Sequence, residues 1–103
     1  MDVEQVIREA IAIRSPVSLC YATTGIARRV VHPHALFRAS TGKKYVDGYQ
    51  VAGATSSGER IPDWRQMRIS KITAIEILDG SFAPAPGWNP AAKKYSAGLL
   101  AHV

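Results

Sequence analysis

Hydrophobic positions at the start of the chain recur with helical spacing. Val3, Val6, Ile7, Ala10, Ile11 and Arg14 follow i, i+3, i+4, i+7 along one face, so a helix of about twelve residues is expected. Asp2 stands at the N-cap, and Gln5 three residues later completes a capping-box arrangement. Pro16 closes the segment, because its ring drives the preceding residue out of helical geometry. A helix this short is marginal alone in water, so its apolar stripe must pack on the rest of the chain.

Beyond Pro16 the pattern changes to period two. Val17, Leu19 and Tyr21 share one side of a strand, Ser18, Cys20 and Ala22 the other, and Thr24-Gly25 signals a turn. Residues 27–32 form a second alternating run that Pro33 breaks or confines to an edge. A short apolar piece at 35–39 leads into the turn Ser40-Thr41-Gly42. Residues 44–54 make the longest expected strand, with Tyr45, Asp47, Tyr49 and Val51 on one side. Strands are also expected at 64–69 and around Ile72, Ile75, Ile77 and Leu78. Short strands with Gly-marked turns and no crossover helices indicate an antiparallel barrel or sandwich rather than a parallel sheet. Residues 83–90 are Pro-rich and extended, after which Asn89-Pro90 opens a short helix over 91–100, weakened by Gly98.

The 103 residues hold roughly one domain, and 47% hydrophobic content is too high for a disordered chain. No apolar run approaches the roughly 18 residues of a membrane span, and Met1-Asp2-Val3-Glu4 is acidic where a secretory leader would be basic. A soluble, cytoplasmic protein is expected. The net charge of +5 is unevenly placed. Between Arg28 and Lys71 nine basic residues face three acidic ones, giving +6, while the remainder carries four against five.

Enzyme templates find no match. His32-Pro33-His34 lacks the convergent partners of a zinc site and reads as a polar pair at a strand end. Cys20 reads as a buried small hydrophobe, Gly42-Lys43-Lys44 lacks the earlier glycine of a phosphate loop, and no serine is singled out as a nucleophile. No catalytic residue, metal or cofactor is expected. The positive signal is basic and aromatic residues interleaved on neighbouring strands, among them Arg28, Arg29, Lys44, Tyr45, Tyr49, Arg60, Trp64, Arg65 and Arg68. Guanidinium groups bind phosphate bidentately and aromatic rings stack on bases.

In their order and spacing these segments resemble a WYL domain, the small Sm-like, SH3-type β-barrel module found mostly in bacterial transcription regulators. The likeness runs from Ile7 to Phe82: the leading helix, Val17-Ser18-Leu19-Cys20-Tyr21, Gly25, the Arg29, Val31, Pro33 spacing, Gly42-Lys43-Lys44-Tyr45-Val46, Tyr49, Gly58 with Arg60, and residues 64–69. The tripeptide that names the family stands here as Lys44-Tyr45-Val46, keeping the tyrosine. The resemblance implies a five-stranded antiparallel barrel over residues 1–82 behind its leading helix, with 83–103 as a tail. It further implies a stand-alone, non-enzymatic module that senses single-stranded nucleic acid or a nucleotide through a basic and aromatic groove. Carried over by position, the binding residues are Arg29, Tyr45, Arg60 and Arg68, to which the strand pattern adds Lys44 and Arg65. Arg65 and Arg68 lie three apart on one strand and so point to opposite faces. The other expected partners are a second regulator protein or a second copy of the chain, paired through the open barrel edge.

Overall fold

A computed structural model describes residues 2–103. Helix α1 spans Val3–Ile13, and Gln5 N–H donates to the Asp2 carboxylate at 3.2 Å, the cap expected from the sequence. Arg14 ends the helix in the left-handed region at φ 52°, which lets the chain reverse into β1, Val17–Tyr21. Then come β2 (Arg28–Arg38), β3 (Lys44–Gly53), β4 (Asp63–Arg68), β5 (Ile72–Ile77) and β6 (Leu99–His102). All pairings are antiparallel, in the order β4-β3-β2-β1-β5, with β6 also on β2.

Two elements differ from the sequence expectation. Pro33 does not end a strand: β2 runs through it, and the register with β3 shifts between Pro33 and Ala35. A bulge of this kind is where a sheet tolerates a residue without an N–H. The short helix expected over 91–100 is absent. A single 3-10 turn at Lys93–Tyr95 gives way to β6, so the sheet has six strands rather than five. The reason lies in β2. Its first half pairs with β1 and its second half would leave Ala35, Leu36 and Phe37 with an open edge, which β6 fills. Backbone groups in the interior must find partners, and a ten-residue helix containing Gly98 has little stability to set against that.

The sheet buries two faces. On one, α1 lays Ile7, Ala10 and Ile11 against Leu19, Val31, Leu36, Val46, Met67 and Ile75, which form the main core. On the other, residues from 82 onward cover a second, aromatic cluster built on Ala35, Phe37 and Tyr95, with Tyr45, Trp88 and Leu99 beside it. At Gly48 the strands come so close that a Cβ would run into the Val31 side chain, so this position admits only glycine without rearrangement.

Candidate ligand-binding face

Register decides which side chains share the outer face. Opposite one another on β3 and β4 stand Tyr45 with Arg68, Asp47 with Gln66, and Tyr49 with Trp64, and directly paired residues of an antiparallel ladder project to the same side. Trp64, Gln66 and Arg68 therefore alternate along β4 as one track. At about 3.3 Å per residue the track is roughly 13 Å long. Because β4 is an edge strand, one flank of the track is open.

The C-terminal segment is fastened over the same face. His34 is fully buried, and its ring lies 4.7 Å from Trp64, 5.1 Å from Phe82 and 5.5 Å from Trp88, centre to centre. Its Nε2 accepts the N–H of Ala85 at 2.9 Å, and its Nδ1 lies 2.7 Å from the His32 carbonyl, to which it donates. The imidazole is thus held neutral, with its pKa pushed below the usual histidine range by burial. Trp64 Nε1 adds a second fastening, donating to the Pro86 carbonyl at 2.9 Å. The histidines are not the strand-end polar pair expected from the sequence, since both lie inside β2 and His34 anchors the segment that comes after the barrel.

Between this segment and the β3–β4 face lies a cavity of about 400 Å³, whose walls include Asp47, Trp64, Arg65, Gln66, Trp88, Lys94 and Tyr95. Asp47 sits at its base, 3% exposed. One carboxylate oxygen, Oδ2, accepts from the Tyr95 hydroxyl at 2.6 Å and pairs with Lys94 Nζ. The other, Oδ1, is buried without a hydrogen-bond partner. Burial, reinforced by the bond to Asp47, raises the Tyr95 pKa above its ordinary value of 10.0, so the phenol remains a donor. Arg65 gives its terminal nitrogens to the carbonyls of Trp64 and Arg60, at 3.0 and 2.6 Å, and its Nε–H is also buried and unpaired. Donors and acceptors left unsatisfied in a native interior call for an explanation.

The six residues expected to bind ligand fall into three groups. Arg65 lines the cavity, and Arg60, whose carbonyl Arg65 engages, is exposed and 3.7 Å from Asp63. Lys44 and Arg68 meet with Lys43 in a shallower groove of about 300 Å³ at the far end of the track, next to Tyr45, which stacks on Phe37. Lys44 also donates to Glu4 of α1 at 2.8 Å. Arg65 and Arg68 lie on opposite sides of β4, as their spacing requires. Arg29 stands apart from both recesses. It is 2% exposed, its guanidinium 5.3 Å above the Tyr21 ring and bonded to Thr23, Thr24, Ser56 and Gln50 at 3.1–3.4 Å. Burial lowers its pKa from the usual arginine value.

Sequence reasoning overlooks Asp47, Trp88, Lys94, Tyr95 and His34 as site residues. Strand alternation places Asp47 with Tyr45 and Tyr49, and a carboxylate between two aromatics on one face is the signal available. Nothing local links it to residues beyond position 86.

Neither protein-family models nor curated proteins match the chain. Among solved structures, 86% of the chain superposes on part of proteasome accessory factor B/C (PafBC) of Arthrobacter aurescens, with a TM-score of 0.65 and 26% sequence identity. That likeness fits a WYL-like fold. The chain spans 13% of the length of that PafBC protein. No helix among the described residues is long and apolar enough to cross a membrane.

Proposed function

We propose that the chain is a regulatory, ligand-sensing module without enzymatic activity, and that its ligand is single-stranded nucleic acid or a nucleotide held on the outer face of β3 and β4. A regulatory role is in keeping with a structural neighbour named as an accessory factor. The observation that carries the ligand reading is the alternation of Trp64, Gln66 and Arg68 along one face of an edge strand. It joins an aromatic cavity at one end to the Lys43, Lys44 and Arg68 groove at the other. Aromatic rings take bases irrespective of sequence, cationic side chains track the phosphates, and the open flank of β4 leaves room for a chain to pass.

The test is a titration of a short single-stranded oligonucleotide, monitored by fluorescence anisotropy at several salt concentrations. Affinity should fall as salt rises, with log K linear in log salt, since each neutralised phosphate releases counterions. Absence of binding to any oligonucleotide or nucleotide at low salt would overturn the reading.

A further inference from the structure

Resting on that reading and going beyond it, we infer that the cavity beneath Trp88 receives a nucleobase by its exocyclic amino group, with Asp47 Oδ1 as the acceptor. Asp47 does not lack a counter-charge, because Lys94 pairs with it, and its Oδ2 already accepts the Tyr95 hydroxyl. What Oδ1 lacks is a hydrogen-bond donor. A neutral N–H suits that oxygen, whereas a second ammonium group would crowd Lys94. The walls set the shape of the donor's owner. Trp64 and Trp88 both line the cavity, 6.3 Å apart and 26° from parallel, and flat rings favour a flat, aromatic occupant.

The chemistry of the bases narrows the choice. Arg65 does not join Asp47 as a partner of the base, because it stands opposite Gly48 on the other side of β4 from Trp64 and Gln66, with its terminal nitrogens held by the Trp64 and Arg60 carbonyls. Adenine and cytosine carry an exocyclic amino group that can donate to Asp47, beside an unprotonated ring nitrogen that brings no further charge or proton to the site. Uracil carries its ring N–H between two carbonyls, and those carbonyls would face the Asp47 carboxylate.

The chain has two tryptophans, and both line this cavity, so its intrinsic fluorescence reports occupancy directly. Two matched pairs of 5′-monophosphates separate the amino group from everything else: adenosine against purine riboside, and cytidine against uridine. Each amino-bearing member should bind at least about tenfold more tightly than its partner, the scale of one hydrogen bond to a charged acceptor. Asp47→Asn then inverts the preference. Lys94 and Tyr95 are donors, so they hold the amide oxygen, and the NH₂ turns toward the cavity, where it favours the uridine carbonyl. Equal affinity within both pairs overturns the inference and leaves the wider ligand reading standing. Failure of all four to change the fluorescence at millimolar concentration also overturns it, and only a parallel failure of oligonucleotides to bind takes the wider reading with it. The matched-pair comparison uses the unaltered chain, so poor folding of the variant leaves the test intact.

Discussion

His34 Nε2 accepts the backbone N–H of Ala85 at 2.9 Å, across 51 residues of sequence. This bond exists only while the ring is neutral, since the opposite nitrogen already carries its proton toward the His32 carbonyl. A second proton would set two donors face to face. The segment that roofs the aromatic cavity is therefore tied to the protonation state of one buried side chain.

Acidification should loosen that roof. Burial lowers the pKa of His34, and also that of His32, which stacks 4.8 Å from Phe82. A histidine with a depressed folded-state pKa contributes stability that is fully present above its unfolded value of about 6.5 and lost as pH falls toward the folded value. Tryptophan fluorescence, which reads Trp64 and Trp88, should thus change in mildly acidic buffer before far-ultraviolet circular dichroism registers loss of the sheet. His34→Phe keeps an aromatic ring but strands the Ala85 N–H, and should destabilise the protein by about 1–3 kcal/mol. Its remaining dependence on pH should be weaker, because only His32 is left of the pair. Denaturant melts of both proteins at two pH values check this.

Gly48→Ala should be costly for steric reasons alone. The added methyl would meet the Val31 side chain, a residue of the main core that is 1% exposed, and overpacking of this kind costs about 1–3 kcal/mol. Shortening the neighbour should relieve part of it. The double variant Gly48→Ala, Val31→Ala should therefore be more stable than the two single losses summed, a coupling that a double-mutant cycle reads directly.

How far such features are visible in the sequence depends on the range of the interaction. The Asp2 cap, the amphipathic α1 stripe and the shared face of Tyr45, Asp47 and Tyr49 are set by neighbours within a few residues, and all three stand in the structure as expected. The cavity is not local. It needs β4 to present Trp64 and Gln66, and it needs residues 87–95 to return over them, an arrangement fixed by the His34 to Ala85 bond and by β6 filling the free edge of β2. The tail escapes a local reading for the same reason. Its own composition favours a weak helix, and the open edge that recruits it lies about sixty residues earlier.

Glu4→Gln should release Lys44 into the groove at slight expense to stability. Glu4 bonds to Lys44 at 2.8 Å and to Arg8 at 3.1 Å, and its pKa lies below the ordinary carboxylate value, chiefly through the bond to Lys44. Its contribution is present above about pH 4.5 and lost as pH falls through the lower folded value. Partly exposed pairs are worth about 0.2–1 kcal/mol, so the melting temperature should move little. Oligonucleotide affinity should rise, since one negative charge leaves the side of the Lys43, Lys44 and Arg68 groove. A variant that binds more weakly would place the phosphates elsewhere.

Arg29 and Arg68 are the same residue type in opposite surroundings, one buried and one lining a groove. Arg68 lines an open groove on the outer face, so Arg68→Ala should weaken single-stranded oligonucleotide binding by about 1.5–3 kcal/mol, the value of a charge-assisted contact. The log K against log salt slope should become shallower by about 0.7 for the one phosphate released. Stability should hardly change. Arg29 is buried beneath Thr23, Thr24 and Ser56, with Gln50 Oε1 as an interior partner. Arg29→Ala leaves that acceptor unpaired and should lower stability by about 1–3 kcal/mol while leaving the salt slope unaltered. Arg29→Lys should not restore it, because a single ammonium cannot span the hydroxyls that the planar fork bridges. Measuring both quantities on the three variants separates the roles: a salt slope that moves with Arg29 and stays fixed with Arg68 would reverse the assignment.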